Sequence, residues 1–132
     1  MSVLSHTRRI VFSRLNLKDS TNYVYNSNAS YGDNDGWHNA RYDEVTVQLG
    51  CATLTEKTVK FRVEGRCVDT DRVASLYNTT ISVGNSMDKV TTISYRTNEI
   101  RVGAKLSAAE SSPLASPHYV YAQIKFTDYS KR

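Results

Sequence analysis

The sequence predicts an all-β fold, a single-domain antiparallel β-sandwich (jelly-roll or Ig-like) of roughly eight strands with at most one short helix. Apolar and polar residues alternate with period two over most of the chain, which is the pattern of half-buried strands. β-branched and aromatic residues dominate these runs. The 132 residues are the size of one domain and can bury a core without disulfides. We therefore expect residues 1–132 to form one sandwich domain.

Four runs alternate most clearly, namely "DEVTVQLG", "TVKFRVEGR", "NEIRVGAKL" and "HYVYAQIKFTD". In the second run, Val59, Phe61 and Val63 share the inward face, while Arg62 and Glu64 face outward. The short stretch "CATLTEK" joins the first run to the second, so we expect these two strands to form an antiparallel hairpin.

The remaining strands are predicted by weaker runs, "RRIVFSRL", "TNYVYNSNA", "TTISV" and "KVTTISYR". One stretch, "DTDRVASLYN", predicts a helical turn instead. Val73, Leu76 and Tyr77 recur there at helical spacing, behind Asp69 and Asp71, either of which can cap a helix.

Three segments outside the strands are expected to reach neighbouring molecules: an N-terminal arm (1–9), a long Ser-, Ala- and Pro-rich loop (107–118) and a C-terminal tail (127–132). The opening "MSVLSHTRRIVF" has no apolar core of a signal peptide, and no apolar run approaches the roughly 20 residues of a spanning helix. Synthesis in a cytoplasm and no membrane partner are expected.

No pattern predicts catalysis, a cofactor or a metal. Asp33 and Asp35 in "GDNDG" are weak calcium-ligand candidates, but the ordered ligand spacing of a calcium loop is missing and a turn is favoured. Cys51 and Cys67 match no zinc spacing and are expected to be buried free thiols. No "GxSxG" and no glycine-rich phosphate loop occurs. The sequence therefore predicts a protein that is not an enzyme.

Nine tyrosines and one tryptophan are the remaining candidates for binding. Trp37, with Tyr31 and Tyr42, could stack on a sugar, while the alternative for Trp37 is an anchor that closes the sandwich. Tyr119 and Tyr121 alternate outward on the last strand and suit a protein interface. The net charge of +4 contains no block of like charges, so nucleic acid is disfavoured as a partner.

The sequence resembles small β-sandwich structural proteins of tailed bacteriophages. The resemblance covers 43–126 and is carried by "VEG" (63–65), "LY" (76–77) and "IRV" (100–102). It implies a capsid-decoration or tail-associated protein without catalytic residues.

From the resemblance and the residues together, we expect a non-enzymatic virion structural protein that binds the capsid shell or tail in many symmetric copies. Its partners would be the major capsid or tail protein and copies of itself, and its location the virion, after synthesis in the host cytoplasm. The predicted interface residues are Arg8, Arg9, Tyr119, Tyr121, Lys131 and Arg132. The alternative is a carbohydrate- or receptor-binding module using Trp37 and the loop tyrosines, and a third hypothesis is a small nucleic-acid-binding barrel.

Overall fold

The computed structural model describes residues 3–16, 23–25, 36–51, 58–67, 72–81, 87–94, 97–106 and 119–129. Over these residues the chain forms eight strands and no helix. The strands are β1 (Val3–Asn16), β2 (His38–Asn39), β3 (Glu44–Cys51), β4 (Val59–Arg66), β5 (Ala74–Ile81), β6 (Met87–Thr92), β7 (Glu99–Leu106) and β8 (Tyr119–Tyr129). The predicted all-β sandwich is confirmed. None of the described residues belongs to a helix that could cross a membrane.

The strand order identifies the sandwich as a jelly roll. Sheet A has the order β1-β8-β3-β6 and sheet B the order β2-β7-β4-β5, with antiparallel pairing throughout. The first strand pairs with the eighth, the second with the seventh, the third with the sixth and the fourth with the fifth. This is one long hairpin wound into two sheets, which decides between the jelly-roll and the Ig-like alternatives.

The core consists of the inward residues of the alternating runs. Val59, Phe61 and Val63 are at most 1% exposed, as the alternation predicts. Phe12 and Phe126 face them from sheet A and are equally buried. Each such side chain contributes about 1.5–3 kcal/mol by leaving water, and this burial is what favours packing of the two sheets.

The predicted hairpin between β3 and β4 is wrong, because the two strands lie in different sheets. β3 pairs with β6 and β8, and β4 pairs with β5 and β7. Alternation shows which face a residue takes, whereas the partner of a strand is chosen by packing with segments far away in sequence.

The predicted helical turn is also wrong, since Leu76 and Tyr77 lie in β5 and pack against the core. Val63 pairs with Tyr77 and Glu64 with Ser75, so Leu76 is the extra residue of a β-bulge. Two adjacent apolar residues at a bulge imitate helical spacing. The proposed caps, Asp69 and Asp71, lie outside the described residues.

The predicted terminal extensions are partly strand. Residues 3–9 belong to β1, which pairs with β8 along its length, and 127–129 form the end of β8. The predicted arm is therefore a paired edge strand from Val3 onward. The loop 107–118 and residues 130–132 lie outside the described part of the chain.

One edge of β7 has two separate partners. Val24 exchanges backbone hydrogen bonds of 2.9 and 3.0 Å with Ala104, and His38 of β2 pairs with Ile100. Val24 and His38 are fourteen positions apart, whereas their partners are four apart, so the chain carries ten residues in excess between them. Both anchored points place aromatic side chains against the outer face of sheet B.

Candidate interaction site

The outer face of sheet B is covered by aromatic rings and guanidinium groups. The Cζ atom of Arg101 lies 3.6 Å from the ring centroid of Tyr25 and 4.5 Å from that of Trp37. Arg66 lies 4.4 Å from the Trp37 centroid on the same side of the sheet. Arg62 lies 4.5 Å from the ring of Tyr23. Alternation of residues 23–25 explains the arrangement, because Val24 packs against the core and its neighbours face outward.

Glu64 is the centre of this cluster. It faces outward, as predicted, but is only 6% exposed, because the rings and guanidinium groups cover it. Arg101 Nε donates to its carboxylate at 3.0 Å, and Arg62 Nη1 lies 3.7 Å away. Burial, together with the hydrogen bond to Glu64, raises the pKa of Tyr25 to about 12. The cluster therefore satisfies a buried charge and fastens residues 23–25 to the sheet.

Trp37 is covered on the outer face of sheet B. Its ring is 7% exposed under Arg66 and Arg101, and it lies outside the cluster of side chains between the sheets. Tyr42 stacks on Phe126 at 4.7 Å and packs against that inter-sheet cluster. The structure thus does not bring Trp37 and Tyr42 to one surface, and Tyr31 lies outside the described residues.

The outer face of sheet A is not covered by any of the described segments, and apolar residues lie at both of its edges. A row across all four strands joins Ile10, Gln123, Gln48 and Val90. The side-chain amide of Gln123 donates to Gln48 Oε1 in the middle of the row. Ile10 on β1 is 44% exposed and Val90 on β6 is 62% exposed. These two side chains flank the polar centre of the row and give a partner aliphatic surface to contact at each edge.

The adjacent row joins Arg8, Lys125, Thr46 and Thr92 and is positively charged. Six residues of the two rows, together with His6, line a groove of about 520 Å³, which we call the sheet A groove. Its lining residues are His6, Arg8, Thr46, Gln48, Val90, Gln123 and Lys125.

The predicted interface tyrosines lie on this same face. Tyr121 is 40% exposed opposite Gly50, which leaves its ring uncovered by a side chain at that position. Tyr119 lies two residues earlier on the same strand, faces the same side and is half-buried. The sequence predicted that both tyrosines face outward on the last strand. The structure shows that Ile10 and Val90 lie on the same face.

The two predicted interface arginines of β1 lie in different places. Arg8 lines the groove, whereas Arg9 pairs with inward-facing Ile124 at the edge of the sandwich. The Arg9 charge acts instead on buried His38, and burial first and Arg9 second lower the pKa of that histidine. Lys131 and Arg132 lie outside the described residues.

Sequence reasoning missed Ile10 and Val90 as surface residues. The available signal for Ile10 was the run of three apolar residues that it starts, since three successive strand residues cannot all face one core. The pairing of β1 with β8 is irregular between Ile10 and Phe12, so that the adjacent residues Val11 and Phe12 are both buried while Ile10 faces outward.

The remaining predictions concern the candidate metal ligands and the two cysteines. Asp33 and Asp35 lie outside the described residues, within which no group of three or more His, Cys, Asp and Glu side chains could hold a metal. Neither cysteine forms a disulfide. Cys51 is buried as expected, whereas Cys67 is exposed, contrary to expectation, because it follows the end of β4.

No family model and no curated protein sequence matches the chain. Among solved structures, the chain is similar to one from Bacillus endospore appendages, which form disulfide-linked pili. The identity is 9%, the TM-score 0.44, and the coverage 96% of this chain and 89% of that chain. It is also similar to the globular domain of the zebrafish complement 1qA protein, with 9% identity, a TM-score of 0.49 and coverage of 96% and 98%. Similarity at this level says nothing about function.

Proposed function

We propose that this chain is a non-enzymatic protein-interaction module that docks through the outer face of sheet A, as a virion structural protein present in many copies. One observation carries the proposal. Among the described residues, three of the four large apolar side chains left exposed, Ile10, Val90 and Tyr121, share that face. The fourth, Val73, lies just before β5 of sheet B.

The size of the face supports assembly in many copies. Four strands spaced about 4.8 Å apart and about eight residues long give a face of roughly 400–500 Å². A stable single interface needs about 800 Å² per partner. Docking through this face alone would be weak, and symmetry would multiply it into stable attachment.

The virion is the proposed setting because the sequence resembles phage sandwich proteins over 43–126. The partners would be a capsid or tail protein, with further copies of this chain beside it. The carbohydrate alternative gains no support from the described residues, since the Trp37 ring is already covered by two arginines.

The test is co-sedimentation of the full-length chain with whole virus particles from its source. We expect many copies per particle, and at least a ten-fold loss for Val90→Asp, which places a charge on the exposed apolar edge. The matched control is Val73→Asp, which alters an exposed valine, 39% accessible, just before β5 of the other sheet and should leave incorporation unchanged. Absence of the chain from particles, or equal loss in both variants, would contradict the proposal.

A further inference from the structure

We infer that the sheet A groove binds carboxylate groups of a partner protein, with Arg8 and Lys125 as the anion-binding residues. The inference rests on the proposed function, because it names the chemistry of the surface that docks there. The partner segment is acidic and also carries aliphatic side chains.

The two cations are uncompensated within the described part of the chain. Arg8 and Lys125 are direct partners in the β1–β8 ladder, and both are exposed. Like charges directly opposite each other destabilise a sheet. No described carboxylate lies within ion-pair distance of either residue, and no described aromatic ring lies beneath either of them. A carboxylate placed between them would bind both through charge-assisted hydrogen bonds.

Sheet B offers an internal comparison. Lys60 and Lys105 are also direct partners, on the outer face of that sheet, but the Lys105 ammonium lies 4.8 Å from the ring centroid of Tyr23. Both lysines are half-buried. The same arrangement of charges is thus partly compensated on sheet B by the chain itself.

The rest of the groove suits an acidic protein segment better than a saccharide or a nucleic acid. The amides of Gln48 and Gln123 form a polar floor that can bond a peptide backbone. Ile10 and Val90 flank it with aliphatic surface, for which a hydroxyl-covered saccharide has no counterpart. Two cations are also too few for a phosphate track.

The same face of a second copy is an unsuitable occupant. A two-fold contact that places Arg8 and Lys125 against the same residues of a second copy would bring four positive charges together. Two acidic residues lie on this face among those described. Glu44 is already engaged by a hydrogen bond from Tyr129, and Asp88 is exposed on β6, at the edge of the sheet opposite Arg8. One exposed carboxylate per copy does not balance two cations, so an acidic segment of a different protein suits the groove better.

The experiment is an NMR titration of the full chain with a capped octapeptide that has Glu at alternating positions and Val and Ser between them. The control peptide has Gln in place of Glu. We expect the acidic peptide to shift the signals of Arg8, Lys125, Gln48 and Gln123. We also expect it to bind at least ten-fold more tightly than the Gln peptide, and more weakly as NaCl is added.

Paired variants locate the site. The double variant Arg8→Gln, Lys125→Gln should lose at least ten-fold in affinity, whereas Lys60→Gln, Lys105→Gln removes two charges from the other face and should bind normally. Equal binding of both peptides, equal loss in both variants, or shifts on this face with a sulfated oligosaccharide but not with the peptide would overturn the inference.

Particle co-sedimentation separates the inference from the proposed function. If Val90→Asp prevents incorporation and Arg8→Gln, Lys125→Gln does not, the docking face stands and the carboxylate inference fails. If both variants are incorporated fully, the proposed docking face itself is wrong.

Discussion

The outer faces of the two sheets carry similar charged residues and use them differently. On sheet B, Arg62, Arg66 and Arg101 each contact both an aromatic ring and a carboxylate of the chain itself. On sheet A, Arg8 and Lys125 contact neither within the described residues. An outward, charged strand therefore does not by itself indicate a binding surface. What matters is whether the chain already compensates its charges.

The difference has a structural origin at the edge of β7. Val24 and β2 both pair with that edge, so Tyr23, Tyr25 and Trp37 are held over the sheet B face. Among the described residues, no segment crosses the face of sheet A, where Ile10 and Val90 remain exposed at the edges. Within the described part of the chain, the face of sheet B is therefore covered and the face of sheet A is not.

The largest expected effect comes from opening the closed face. Glu64→Ala should lower the free energy of unfolding by about 3–5 kcal/mol, because it leaves the guanidinium of Arg101, whose side chain is 14% exposed, without its carboxylate. Urea unfolding followed by the fluorescence of Trp37, the one tryptophan of the chain, measures this directly.

Glu99→Ala is the matched control for Glu64. Its carboxylate also binds an arginine, Arg66 Nε at 2.8 Å, but its side chain is 28% exposed against 8% for Glu64. We expect a loss of at most about 1 kcal/mol. Similar losses in the two variants would mean that Glu64 is no more important to the fold than an ordinary surface acid.

A smaller effect is expected where the covering segment contacts the sheet. A Cβ atom at Gly103 would lie 2.6 Å from Tyr25 Cε1 and 3.0 Å from Tyr23 Cβ. The Tyr25 ring has little room to move, because Arg101 stacks on it. Gly103→Ala should therefore destabilise the fold by about 1–3 kcal/mol, measured as a shift in the urea midpoint.

Making Gly103→Ala in a Tyr25→Ala variant tests whether contact with the Tyr25 ring causes the destabilisation. With the Tyr25 ring removed, the closest atoms to the added methyl group are gone, so most of the destabilisation by Gly103→Ala should disappear. A double-mutant cycle with no coupling between the two positions would show that residues 23–25 do not press on β7 as the structure indicates.

The sequence predicted the face that each strand residue takes, because alternation is a local property of a pleated strand. Val59, Phe61 and Val63 are buried as expected. It did not predict that β3 and β4 lie in different sheets, since pairing depends on packing across the whole chain. The bulge at Leu76 was likewise hidden, because two adjacent apolar residues fit a helix equally well.

The candidate site was predicted only in part, for the same reason. Alternation places Tyr121 and Lys125 outward on the last strand, and both lie on the open face. It also places Glu64 outward, but its burial depends on Tyr25, thirty-nine positions away in the sequence. Exposure of an outward residue is decided by what else covers the sheet, and no local pattern contains that information.

The smallest expected effect on stability has an unusual sign, because the substitution removes a charge and does not destabilise the fold. Arg8→Gln removes one member of a like-charged pair that the described chain does not compensate. The free energy of unfolding should stay unchanged or rise by about a few tenths of a kcal/mol, and any gain should shrink with added salt. Arg101→Gln removes a partner of buried Glu64 and should instead destabilise the fold. Urea unfolding of both variants at low and high NaCl measures the contrast. A loss of more than about 1 kcal/mol for Arg8→Gln would mean that Arg8 serves the fold, and the open face would then lose its principal charge for binding a partner.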